Sequence, residues 1–108
     1  MRVLFGTPAL DRACRTWEGR KQRCGPSARE VARRLFELTA VATLSDVGLL
    51  PGVRLVPDDS PGRYRMQCVR GVTLFLRPLY LEASAEDTSE EHGTARVVSV
   101  DDIKTLEK

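Results

Sequence analysis

The sequence has one histidine, His92, and only three cysteines, Cys14, Cys24 and Cys68, which are widely scattered. No C-x-x-C pair or Cys/His cluster occurs, so nothing suggests a zinc site, and no motif asks for another metal or a cofactor. An odd, unpaired set of cysteines points to reduced thiols in a cytoplasmic protein rather than to a disulfide framework. No apolar run approaches the roughly 20 residues of a membrane-spanning helix, so no membrane partner is expected. Met1 leads straight into the strand-like Val3-Leu4-Phe5, a start that predicts no signal peptide. Internal repeats are absent as well.

The 108 residues suit one domain. A hydrophobic content of 42% supports a modest core, and 30% charged residues suit a solvated surface. The net charge of +2 conceals an uneven distribution. Residues 1–54 carry ten Lys/Arg against five Asp/Glu; residues 55–108 carry seven against ten. A basic half can serve a phosphate-rich partner, although arginine-rich helices also form plain solvated faces.

Residues 53–81 organise the chain. They hold three strand-like runs: Val53 to Val56, Arg63 to Val69, and Val72 to Leu81. The middle run alternates, with Tyr64, Met66 and Cys68 on one side and Arg63, Arg65 and Gln67 on the other. Arg70-Gly71 predicts a tight turn, with Gly71 free to take a positive φ. The last run is apolar on both faces, as a central strand requires. The preceding chain predicts a first strand over residues 2–6 and a helix starting at Pro8 with Thr7 as cap. Leu10, Ala13, Cys14 and Trp17 form its apolar stripe, and Gly19 to Gly25 reads as the break after it. Ser27 and Glu30 have capping-box spacing. Val31, Leu35, Leu38 and Ala42 form a second stripe, with Arg29, Arg33 and Arg34 away from it or at its border. Thr43 and Asp46 predict a short third helix. Residues 83–94 read as a flexible acidic loop, 95–100 as a last strand, and 101–108 as a polar tail or helical turn packed by Ile103 and Leu106. Strand, helices, then strands make an α+β plan.

Three stretches carry a family resemblance: ARRLFELTAVATLSDVGLLPGVRL (residues 32–55), GRYRMQCVRGVTLFLRP (62–78) and RVVSVDDI (96–103). Together they resemble the RelE/ParE toxin superfamily, in its HigB-like branch. The resemblance spans nearly the whole chain, through short and mostly structural motifs. It implies an N-terminal strand and two helices packed on a twisted, mainly antiparallel sheet. It also implies the toxin of a bacterial toxin–antitoxin pair, with a cognate antitoxin as partner. Relatives of the HigB and RelE kind cut messenger RNA on the ribosome, and ParE-like relatives poison DNA gyrase.

The residues themselves nominate an RNA-binding set. Arg63 and Arg65 share a strand face, and Arg54 and Arg77 can join it, since guanidinium forks suit phosphate. Tyr80 can stack on a base; Tyr64 can too, but its alternation with Met66 places it in the core. Cleavage would also require a base for the 2′-hydroxyl and an acid for the leaving oxygen. The basic loop that such nucleases carry reads here VPDDSPGR. The family's histidine position holds Val56, an arginine position holds Thr73, and Asp102-Ile103 stands near the terminal Tyr-His. An endoribonuclease therefore stands beside a non-catalytic binder, ParE-like or a degenerate partner-binding relative, as alternatives. Asp58 and Asp59 read as turn residues before Ser60-Pro61-Gly62, and His92 as an exposed loop residue.

Overall fold

Threonine governs the start of the helical region. The computed structural model describes residues 1–79 and 95–105, and so leaves Tyr80, His92 and the expected 83–94 loop outside the described residues. After strand β1 (Arg2–Phe5), Thr7 accepts from the Leu10 amide at 3.1 Å and opens helix α1 (Pro8–Arg15). Thr16 then takes an extended conformation, ending α1, and caps helix α2 (Trp17–Cys24) by accepting from the Gly19 amide at 2.9 Å. Residues 19–24 of the expected break thus belong to a helix; the chain breaks at Thr16 and again at Gly25, whose positive φ of 57° ends α2. Gly19 is needed for close approach, since a Cβ there would stand 2.5 Å from the Ala13 carbonyl oxygen. The shift carries Trp17 out of the expected apolar stripe; it is exposed, and the Arg20 guanidinium lies over its ring at 5.9 Å.

Helix α3 (Ala28–Ala40) buries Val31 and Leu38 fully and Leu35 partly, as its spacing predicts. Ala42 lies beyond its end and is exposed. The expected capping box is not formed: Ser27 makes no side-chain bond to the first turn, and Glu30 turns to Arg34 instead. Arg34, expected at the border, is buried to 1% exposure. Its Nε donates to Glu30 at 2.8 Å, and its Nη1 donates to Glu37 at 2.7 Å and to the Pro51 carbonyl at 3.1 Å. A buried guanidinium persists because two carboxylates and a carbonyl accept from it. The bond to Pro51 also ties α3 to the chain entering the sheet. Helix α4 (Leu44–Val47) is short, as expected, with the Thr43 amide donating to Asp46 at 3.3 Å.

Strands β2 (Val53–Pro57), β3 (Tyr64–Cys68), β4 (Thr73–Leu79) and β5 (Val97–Lys104) complete a mixed five-stranded sheet ordered β1-β5-β4-β3-β2. Among the described strands, β1 with β5 is the parallel pair and the others are antiparallel. β4 is the middle strand; Leu74, Leu76 and Pro78 lie on the helix-covered face, while Thr73, Phe75 and Arg77 lie on the other, so the expected apolar character of both faces holds only in part. The β3–β4 turn places both Arg70 (φ 68°) and Gly71 (φ 77°) in the left-handed region. The chain after Val100 was expected as a tail, but β5 runs on to Lys104. A bulge makes this possible, because Phe75 pairs with Asp102 and Leu76 with Val100, leaving Asp101 as the extra residue. Val98, Val100 and Ile103 therefore all face inward despite their irregular spacing. The core joins α1 and α3 to one sheet face through Leu10, Val31, Leu38, Met66, Leu74 and Leu76. Each such aliphatic side chain contributes about 1.5–3 kcal/mol by burial. Cys14, Cys24 and Cys68 are free thiols, and burial pushes Cys14 and Cys68 up to about 11.

Candidate nucleic-acid interface

With helices on one side of the sheet, the strand registers decide what lies on the other. Arg65 pairs with Val56 in β2 and with Phe75 in β4, and Arg54 pairs with Gln67. Arg63 and Arg77 flank the Tyr64–Leu76 pair in neighbouring strands. Side chains alternate along a strand, so Arg54, Arg63, Arg65 and Arg77 share the face opposite the helices. Tyr64 takes the other side and packs against the core, as its alternation with Met66 predicts. Tyr80 lies outside the described residues.

Three of these arginines are held in place by carboxylates. Arg63 Nε donates to Asp58 at 2.7 Å, and Arg65 Nε lies 3.5 Å from the other oxygen of Asp58. The Arg65 Nε is buried without a hydrogen bond. The Asp58 side chain is only 7% exposed, and the Arg63 hydrogen bond holds its carboxyl below the usual carboxylate range. Arg77 Nε donates to Asp101 at 2.9 Å, and the Ser99 hydroxyl donates to the same carboxylate at 2.8 Å. The β5 bulge is what leaves Asp101 free to take these bonds. Arg54 is exposed and has no ion pair with a described residue.

Phe75 lies in the middle of this face. The residue is 8% exposed, with the Arg63 guanidinium 4.9 Å and the Lys104 ammonium 5.3 Å from its ring centroid. The ring holds Lys104, which has no ion pair with a described residue, and adds to the Asp58 bond in fixing Arg63. The result is a band of cations spaced across four strands, of which Arg63, Arg65, Arg77 and Lys104 are positioned by Asp58, Phe75 and Asp101. Such a surface can grip phosphates at low ordering cost, because its side chains are already placed. The ionisable groups on this face, among the described residues, are arginines, a lysine and arginine-held carboxylates. None of them is a histidine.

Asp58, Phe75, Lys104 and Asp101 were not nominated from the sequence. Asp58 was readable in principle. Its amide donates to the Arg63 carbonyl at 2.9 Å, a cross-strand pairing that follows from counting outward through the 58–63 turn. Asp101 and Lys104 depend on the bulge, for which the local sequence gives no signal.

No protein-family model, curated protein or solved structure matches this chain. No helix among the described residues is long and apolar enough to cross a membrane. Fold and site together define an α+β protein with a five-stranded mixed sheet, helices on one face and a cation-lined second face.

Proposed function

We propose that the chain is a RelE/ParE-like toxin that binds ribosome-associated messenger RNA across its open sheet face and is neutralised by a cognate antitoxin. The observation that carries this reading is the register that aligns Arg54, Arg63, Arg65 and Arg77 on the face without helices. Binding without cleavage is the form of activity best supported. The carboxylates on that face are engaged by arginine, and Asp58 is held ionised, so it is a poor acid. A gyrase-directed, ParE-like binder is the second reading, since it too uses a binding face and needs no proton transfer.

Salt-dependent binding tests the proposal. Each phosphate neutralised on a single strand contributes about 0.7 to the slope of log affinity against log salt. Arg63→Gln/Arg65→Gln should weaken binding to RNA and to ribosomes and lower that slope by about 1.4. Unchanged affinity would show that this face is merely solvated. Efficient messenger cleavage by the wild type would overturn the non-catalytic form. Gyrase inhibition without RNA binding would favour the second reading.

A further inference from the structure

A groove of about 680 Å³ opens at the start of α3, lined by Pro26, Ser27, Arg29, Glu30, Arg33 and Arg70. Three guanidinium groups meet one carboxylate there, and that carboxylate is already committed, since Glu30 accepts from the buried Arg34 at 2.8 Å. Arg33 has a loose 3.5 Å pairing with Glu37 and is 61% exposed. Arg29 and Arg70 are exposed and have no ion pair with a described residue. Like charges gathered around one concavity repel one another, and an anion between them relieves that repulsion. The lining includes no aromatic ring, so the groove offers charge and hydrogen-bond forks but no platform for a base. It is therefore suited to a phosphate backbone rather than to a nucleobase.

The groove adjoins the cation band. Arg70 follows Val69, whose amide donates to the Gly52 carbonyl at 3.1 Å, and Arg54 stands two residues beyond Gly52 in β2. With about 3.3 Å of rise per strand residue, Arg54 and Arg70 lie within roughly 10 Å of backbone. We infer that the groove holds backbone phosphates of the same single-stranded RNA that crosses the open face, extending its track past Arg54 to Arg70, Arg29 and Arg33. This rests on the open-face reading above. It adds a second, sequence-independent anchor at the helical end of the sheet.

Arg29→Gln/Arg70→Asn tests it, because both residues are exposed and asparagine tolerates the left-handed backbone at position 70. Fluorescein-labelled single-stranded RNAs of about 4 and about 12 nucleotides, within the range of single-strand site sizes, serve as probes in anisotropy titrations across salt. The wild type should bind the longer RNA more tightly. The double variant should lose that advantage, with a salt slope lower by about 1.4, while still binding the short RNA normally. If the double variant melts early, Arg29→Gln alone should lower the slope by about 0.7. Unchanged binding of the longer RNA, with Arg63→Gln/Arg65→Gln weakening both probes, overturns the groove and leaves the open-face reading intact. The opposite pattern overturns the open face and, with it, the continuous track past Arg54. Inorganic phosphate that displaces the longer RNA at comparable concentration, sparing the short one, would make the groove a small-anion site and overturn the polymer track. Failure of the wild type to bind either RNA overturns both.

Discussion

Arg34→Ala is the most informative perturbation of the fold. The side chain is 1% exposed and makes three short bonds, to Glu30, Glu37 and the Pro51 carbonyl. Alanine is an excellent helix former, so propensity does not oppose the change. The loss comes from what is left behind. Glu30, with its side chain 10% exposed, becomes an unpaired and poorly solvated charge, while Glu37, 20% exposed, retains Arg33 at 3.5 Å. Breaking a buried pair from one side costs about 3–5 kcal/mol, and the partial rescue of Glu37 places this case near the lower end. Against a typical stability of about 5–15 kcal/mol, the variant should remain folded but weakened. Equilibrium urea unfolding should show a midpoint lower by about 1–3 M, at a slope of about 1–3 kcal/mol per M. Arg34→Met/Glu30→Gln should be more stable than Arg34→Met, because it also removes the stranded charge. A loss below about 1 kcal/mol in Arg34→Ala would refute the reasoning, since it would mean that Glu30 rehydrates freely.

Two further outcomes follow from local geometry. Glycine to alanine inside a helix normally stabilises by about 1 kcal/mol, but Gly19→Ala should destabilise by about 1–3 kcal/mol. Its Cβ would meet the Ala13 carbonyl oxygen at 2.5 Å and Thr16 Oγ1 at 2.9 Å, and a raised melting temperature would contradict the Thr16 corner. Asp58 titrates below its ordinary 3.8 because Arg63 donates to it. The folded chain takes up that proton less readily than the unfolded chain, so its stabilisation is complete above the ordinary value and is lost as pH falls through the lowered one. Asp58→Asn should flatten the acid limb of the stability curve, and a limb parallel to that of the wild type would show that the Arg63 contact is too weak to matter.

The alternation of Tyr64, Met66 and Cys68 against Arg65 and Gln67 settled from sequence alone which side of β3 would be buried, because side chains in a strand alternate with a period of two. The Val31–Leu35–Leu38 stripe and the Arg70-Gly71 turn were legible for the same kind of local reason. From these the α+β plan and the arginine row could be read. The break at Thr16 could not, because Gly19 looks like a helix breaker until its contact with the Ala13 carbonyl, six residues earlier, is known. Arg34 is an ordinary border arginine by helical spacing. Only the arrival of Pro51, seventeen residues later, closes its cage of acceptors and makes burial affordable. The β5 bulge is wholly tertiary. It exists because β4 offers a partner strand on which Val100 and Ile103 can both turn inward, and it delivers Asp101 to Arg77. The sequence by itself determined which residues carry charge and which rows are apolar. Three-dimensional packing decided which carboxylate meets which arginine, because those pairings join residues that only the sheet register brings together.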